Sequence, residues 1–331
     1  MSSDRDRVIP GFAMHRVLGR GNTSAVHLAI DPEGRKVALK IPHEETLRVQ
    51  DAAERFANEV RLTLKFKHPR LVRGWAGTPH GQLAFLSLEY YPQGSLSDHL
   101  DQLLVRRLEL DHALRILADV ASALAYLHKQ GAVHQDVKTH NVYLDDQGRA
   151  ALGDMGSTYF VAQGGKVSGS PYYMAPEIYH GESSSSASDV YSLGILMYEL
   201  LGGDRPFNGS SYEELMVSHL TRFPASLSHI NPGVARNVSK MAELALAKRP
   251  NDRPTAEAIR REILLSMGEL PSEERGDDEV KKAIAEPVKN VGRHGLTPQR
   301  PVPRPVEPVA SAPGVEKVEE KRGWNPFKRR K

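Results

Sequence analysis

The sequence predicts an α+β protein of two parts, a small antiparallel β-rich one followed by a larger α-rich one. Three observations point there. Up to about residue 90 the apolar residues fall into short runs separated by turns containing Gly, Pro and Asp. A single stripe of helical spacing interrupts those runs, and beyond residue 110 helical spacing dominates. A length of 331 residues and an apolar content of 40% are enough for a substantial core.

Residues 12–30 (FAMHRVLGRGNTSAVHLAI) read as two β-runs flanking a Gly-rich turn, Gly19 to Ser24. Taken alone, two glycines there suit an ordinary hairpin. The turn Asp31-Pro32-Glu33-Gly34 leads into a third run, Lys36 to Ile41. Lys40 is out of place in that run (VALKI), because burying an unpaired ammonium is costly. The next segment, Asp51 to Lys67, offers a partner. Ala53, Phe56, Ala57, Val60 and Leu64 have helical spacing, with Glu59 beside the stripe. By itself Glu59 would read as a solvated helix charge. Residues 83–90 (LAFLSLEY) form another apolar β-run, closed by the turn Pro92 to Ser95.

The stretch DHALRILADVASALAYLHKQG predicts a strong helix, with Asp111 as its cap and Gly131 as its stop. Leu114, Leu117, Ala118, Ala121, Leu124 and Ala125 form its apolar face, which is core. Then comes VHQDVKTHNVYLDDQGRAALGD, Val133 to Asp154, where Asp136, Asn141 and Asp154 stand among apolar residues. Its middle reads as two short β-runs joined by a turn, Asp145 to Gly148, which would return Asp154 beside Asn141. A carboxylate and an amide oxygen in one small space suit Mg²⁺. Singly, each of the three would read as a turn-capping polar residue.

A polar, aperiodic segment follows Asp154 and closes in GSPYYMAPE; a loop of that length inside a compact domain is functional or mobile. Ser183–Ser186 reads as an exposed loop. SDVYSLGILMYELLGG reads as a buried helix with Asp189 at its N-terminal end and Gly202 at its stop. Helical segments Ser211 to Leu220, Val234 to Ala247 and Ala256 to Met267 complete the α-rich part.

Together these motifs resemble the eukaryotic-like Ser/Thr protein kinases, and in particular their soluble bacterial members. The string H-x-D-x-K-x-x-N (His134, Asp136, Lys138, Asn141) followed by D-x-G (Asp154, Gly156) matches the family's catalytic and metal loops. Gly19-x-Gly21, V-A-x-K ending in Lys40 and the helix Glu59 match its small-lobe pattern. GSPYYMAPE, with Arg253 expected to pair with Glu177, matches its substrate-docking segment. The likeness spans residues 11–268, with lobes 11–90 and 91–268, an extension 1–10 and a tail 269–331.

The resemblance implies a bilobal protein-kinase fold that phosphorylates Ser/Thr hydroxyls of protein substrates in signalling, with autophosphorylation. It implies ATP between the lobes: Gly19 and Gly21 near the phosphates, Leu18, Val26, Ala38 and Leu88 around the adenine, and the Glu89–Tyr91 backbone on its edge. Lys40, held by Glu59, would grip the phosphates. Asn141 and Asp154 would hold Mg²⁺ or Mn²⁺, and Asp136 would take the acceptor proton while Lys138 neutralises the transferring phosphate. Lys138 within D-V-K-T-H-N is the serine/threonine rather than the tyrosine pattern.

Four positions depart from the family. Ser24 replaces a third glycine, Met155 the usual phenylalanine and Ser170 the common threonine. Gln135 stands where phosphorylation-regulated members carry an arginine that pairs with the loop phosphate. Weak dependence on such a phosphate is therefore expected. The competing readings are a pseudokinase scaffold and a small-molecule phosphotransferase. Lys40, Asp136 and Asp154, commonly lost in pseudokinases, are all present, and GSPYYMAPE with Arg253 argues for protein substrates.

Composition narrows the rest. No cysteine is present, so neither a disulfide framework nor a thiolate metal site can form, in keeping with a cytoplasmic protein. The start, MSSDRDRVIP, lacks the apolar core of a secretory signal. Leu193 to Leu201 is too short to cross a bilayer. The net charge of +3 resides in the tail: residues 271–331 hold 14 Lys/Arg against 10 Asp/Glu, leaving the rest near neutral and giving no argument for nucleic acid. With nine prolines and two aromatics, the tail is expected to be disordered. Its end, KRGWNPFKRRK, suits either a solubilising terminus or a docking peptide for a partner, a phosphopeptide-binding module among them, or for an anionic membrane surface.

Overall fold

The computed structural model describes residues 7–103, 107–161 and 170–271. The expectations for residues 1–6, for most of the docking segment (162–169) and for the tail from 272 onward lie outside the described residues.

A five-stranded antiparallel sheet opens the chain. Its strands are β1 (Ala13–Arg20), β2 (Ser24–Ile30), β3 (Lys36–Pro42), β4 (Gly74–Thr78) and β5 (Phe85–Glu89), in the order β1-β2-β3-β5-β4. Alternation separates its two faces. Val37, Leu39 and Ile41 pack with Ile9 and Ala29 in one buried cluster. Val26 pairs with Lys40, Leu28 with Ala38, and Ala38 with Leu88, so these residues share the opposite face. The Gly-rich turn is tighter than the sequence suggested, because β1 runs on through Gly19 and Arg20 and β2 already begins at Ser24.

Two helices accompany the sheet: the short α1 (Glu44–Arg48) and α2 (Gln50–Lys65). Phe56 and Val60 of α2 pack on Ala84 and Leu86. β4 has no counterpart in the sequence reading. It packs so closely on α2 that a Cβ at Gly77 would sit 2.8 Å from Val60 Cγ1, and one at Gly74 2.9 Å from Thr63 Cγ2.

The α-rich part begins with α3 (Leu96–Gln102), another element the sequence reading missed, and centres on α4 (Leu110–Lys129). α4 is buried on nearly every side, more completely than one apolar face implies. Asp111 lies in its first turn; Glu109 is the cap position, and no side chain caps it. Gly131 ends the helix at φ +72°, a value glycine adopts freely. After β6 (Ala132–Val133), strands β7 (Val142–Leu144) and β8 (Ala150–Leu152) form the expected small hairpin, and β9 (Tyr159–Phe160) pairs with β6.

The remaining helices are α5 (Pro176–Tyr179), α6 (Ser186–Gly202), α7 (Tyr212–Thr221), α8 (Leu227–Ile230), α9 (Arg236–Ala245) and α10 (Ala256–Ser266). The stop of α6 is Gly203, at φ +95°, one residue past the predicted Gly202. Arg253 forms the expected pair with Glu177: both guanidinium ends donate to the carboxylate at 2.7 Å, and the arginine side chain is fully buried.

His219 ties α7 to α6. It is fully buried, its Nδ1 lies 2.9 Å from Tyr191 Oη, and its Nε2 has no hydrogen-bond partner. Burial, helped by the charges of Lys248 and Arg205, pushes its pKa down to about 3. The ring is thus neutral in the fold, while in the unfolded chain it would take up a proton near pH 6.5. Its contribution is fully present above that pH and is lost on acidification towards pH 3, by at most about 1.4 kcal/mol per pH unit. Urea unfolding between pH 6.5 and 4 should therefore show a steeper stability loss for the wild type than for His219→Phe. Equal slopes would mean that the imidazole is not held neutral.

Candidate active site

Lys40 is the first fixed point. Its Nζ donates to Glu59 Oε1 at 2.6 Å and Oε2 at 2.8 Å, joining β3 to α2. Burial opposes the ammonium, but the charges of Glu59 and then Asp154 outweigh it and raise the Lys40 pKa above its ordinary range. Asp154 approaches from the helical part, just beyond β8. Lys40 in turn holds the Asp154 carboxyl below the usual carboxylate range.

The second centre is the loop after β6. Lys138 Nζ donates to Asp136 Oδ2 at 2.7 Å. Asn141 Nδ2 donates to both the Asp136 carbonyl (2.7 Å) and its carboxylate (3.0 Å), which leaves the amide oxygen as the atom to offer a cation. The hairpin brings the two centres together: Gly153 N donates to the Asn141 carbonyl at 2.8 Å, and Lys138 is among the charges acting on Asp154. Lys40, Glu59, Asp136, Lys138, Asn141 and Asp154 therefore converge.

Backbone strain marks the same place. Among the described residues, the two non-glycines with positive φ are Gln135 (70°) and Asp154 (61°). Such conformations cost on the order of 1–3 kcal/mol each and persist only where surrounding structure enforces them. Asp189 of α6 supplies that enforcement for the loop: its carboxylate accepts from Gln135 N and His134 N, each at 2.8 Å, and sits 2.9 Å from His128 Nε2. His134 is fully buried, with Nε2 3.0 Å from the Gly153 carbonyl. Gly153 must be glycine, since a Cβ would lie 2.8 Å from Val72 Cγ2 and 3.0 Å from Tyr143 Cε2.

The other predicted residues line the approach to Lys40. Val26, Ala38 and Leu88 lie on its sheet face and, with Leu18, are half-buried. Gly19 and Gly21 are exposed. A Cβ at Gly19 would meet nothing within 4 Å, and one at Gly21 only the Ser24 carbonyl at 3.7 Å, so no neighbouring atom demands glycine at either. Glu89 N is taken by the Arg73 carbonyl (2.8 Å), and the Tyr91 carbonyl by Gly94 N (3.1 Å).

Three contributors were not legible as site residues. Tyr143 borders Asp154 and Lys40, and burial pushes its pKa up to about 12. Asn58 Nδ2 donates to the Thr158 carbonyl at 2.6 Å, a second tie from α2 to the segment after Asp154. Asp189 was read only as a helix-end residue. Its position three residues into a buried helix is the one signal that could have suggested an internal partner.

Among the described residues no cluster of three or more His, Cys, Asp or Glu could hold a metal by itself. Asn141 and Asp154 offer two oxygen donors, which fits a cation that takes its remaining ligands from phosphate and water.

The chain matches the family model for the protein kinase domain over residues 12–264. It is 32% identical over 315 residues to the serine/threonine-protein kinase PknB of Mycolicibacterium smegmatis, an alignment covering 89% of this chain and 49% of that protein. It is 30% identical over 328 residues to the serine/threonine-protein kinase PkaB of Streptomyces coelicolor, covering 89% and 76%. Against the serine/threonine-protein kinase PrkC of Bacillus subtilis it is 30% identical over 290 residues, covering 84% and 44%. The chain spans about half the length of the first of these relatives. No helix among the described residues is long and apolar enough to cross a membrane.

The ion pair at the centre of the site makes a stability prediction. Lys40→Met strands a buried Glu59 carboxylate and should cost about 3–5 kcal/mol, whereas Lys40→Met combined with Glu59→Leu should cost less than the single change. Urea unfolding of the two variants checks this; a double variant less stable than the single one would contradict it.

Proposed function

Because the chain belongs to the protein kinase family, we propose that it transfers the γ-phosphoryl group of ATP to Ser or Thr hydroxyls of protein substrates, itself included. The observation that carries this reading is the convergence of Lys40, Asp136, Asn141 and Asp154 from three separate stretches of chain: strand β3, the loop after β6 and the turn after β8. Lys40, oriented by Glu59, binds the nucleotide's phosphates. The open space over Gly19 and Gly21 suits close approach of those phosphates to backbone N–H groups. Leu18, Val26, Ala38 and Leu88 supply apolar contact for the adenine. The Glu89–Tyr91 backbone is the segment that reads its edge.

Asn141 and Asp154 are the residues that would hold a divalent cation, Mg²⁺ or Mn²⁺, which when bound neutralises charge on the phosphates. Asp136 is positioned by Asn141 to orient the acceptor hydroxyl and accept its proton. Lys138, already against Asp136, offsets the negative charge brought by the transferring group.

With purified chain, ATP, Mg²⁺ and a Ser/Thr peptide library, turnover should fall within roughly 1–100 s⁻¹, the range usual for kinases. Asp136→Ala should lower it by about 10²–10⁴-fold. Phosphoamino-acid analysis should return phosphoserine or phosphothreonine. Turnover unchanged in Asp136→Ala, or phosphotyrosine alone, would refute the assignment.

Gln135 bears on regulation. It cannot offer a loop phosphate the charge of an arginine, and its side-chain amide is engaged with Ser184. Phosphatase-treated protein should therefore retain most of its activity. Loss of activity on treatment, recovered on rephosphorylation within Ser157–Ser170, would contradict this.

A further inference from the structure

The serine run before α6 was expected to be exposed, yet Ser184 is buried, at 6% exposure. It touches two parts of the site at once. Gln135 Nε2 donates to Ser184 Oγ at 2.9 Å, and the hydroxyl of Tyr159, on β9, donates to the Ser184 carbonyl. Ser184 also lines, with Gln135, Asp136 and Ser170, a cavity of about 10 Å³ directly against the catalytic loop.

The position of Ser184 is itself fixed from below. Ser185 N donates to Ser188 Oγ (3.0 Å), and Ser188 Oγ donates to Glu177 Oε1 (2.8 Å), the carboxylate gripped by Arg253. One residue further along, Asp189 holds the backbone of Gln135. Hydrogen bonds, joined by the peptide link between Ser185 and Ser184, therefore connect the buried Arg253–Glu177 pair to the residue preceding Asp136. Every link at Ser184 is uncharged.

We propose that Ser184 is a positioning residue for phosphoryl transfer: its hydroxyl fixes the Gln135 side chain and its carbonyl fixes β9, so that Asp136 keeps its orientation without a phosphate on the docking segment. The proposal rests on the phosphotransfer reading of the site. Its physical basis is the strained backbone at Gln135, φ 70°, which needs external contacts to stay populated. Asp189 supplies the backbone contact and Ser184 a side-chain one. Nucleotide contacts lie on the other side of Asp136, towards Lys40 and Asp154, so ground-state binding of ATP should be indifferent to Ser184.

Steady-state kinetics on the phosphatase-treated full chain test this. Ser184→Ala should lower kcat by about tenfold, as expected for loss of one buried hydrogen bond that positions a catalytic group, with KM for ATP unchanged. Ser184→Thr, which keeps the hydroxyl, should recover most of the rate. Gln135→Ala should cost at least as much, and the double variant should be no slower than Gln135→Ala, since the contact with Ser184 is already lost there. A kcat for Ser184→Ala within twofold of wild type would overturn the assignment. So would additive losses in the double variant, or a loss in Ser184→Ala matched by a lowered melting temperature and a raised KM for ATP. Absence of transfer by the wild-type chain would instead sink the phosphotransfer reading itself.

Discussion

A lysine on a sheet face has to be neutralised, and in this chain that requirement organises everything around it. Lys40 stands between Val26 and Leu86 on neighbouring strands, where apolar atoms surround its stem. An isolated ammonium there would be strongly disfavoured. Glu59 meets it from α2 and Asp154 from beyond β8, so two elements far apart in sequence are drawn to one strand. α2 can deliver Glu59 because Phe56 and Val60, on the same side of the helix, are seated against Leu86. The sheet, its helix and the hairpin are each placed by ordinary apolar packing. The charges then fix their mutual register.

The second centre is held by different means. Asp136 is positioned through backbone strain that other groups sustain: Gln135 lies in the left-handed region because Asp189 captures its N–H and that of His134. A carboxylate that accepts two main-chain N–H groups and faces an imidazole has its lone pairs well used, so its burial at 1% exposure is offset. The left-handed conformation of Asp154 similarly turns its carboxylate towards Lys40, with Gly156 N as a local donor at 3.3 Å.

What could be read from the sequence followed local rules. The β7–β8 hairpin was legible from alternating apolar residues around an Asp/Gly turn, α4 from its helical stripe, and the Lys40–Glu59 pair from a charge with nowhere else to go. The failures share a cause as well. β4 is Gly, Trp, Ala, Gly and Thr, of which the two glycines and the alanine are depleted in strands; it is a strand because it completes the sheet beside β5 and lets α2 approach closely, facts of tertiary packing. The run Ser183–Ser186 was read as exposed, which holds for Ser183 and Ser186 but not for Ser184, since nothing local distinguishes a serine facing water from one facing Gln135. Asp111 looked like a cap, but in α4 it lies within the first turn, where an acidic side chain suits the helix dipole without capping. Asp189 carried no sign of its partners because they are 55 and 61 residues away in the chain, at His134 and His128.

The two centres also differ in what could disturb them. The links that hold the residue before Asp136, Gln135, run to Asp189 and Ser184, inside the helical part. Lys40 and Asp154 belong to opposite parts, and α2 contacts both sides. α2 makes those contacts cooperative, because adjacent residues on it serve two purposes: Glu59 binds Lys40, while Asn58 binds the Thr158 carbonyl beyond Asp154. Withdrawing the helix would break both ties together and leave Lys40 unpaired in apolar surroundings, so intermediate positions are penalised. One amphipathic helix thus ties Lys40 and the segment beyond Asp154 together, while the loop carrying Asp136 is held by separate contacts.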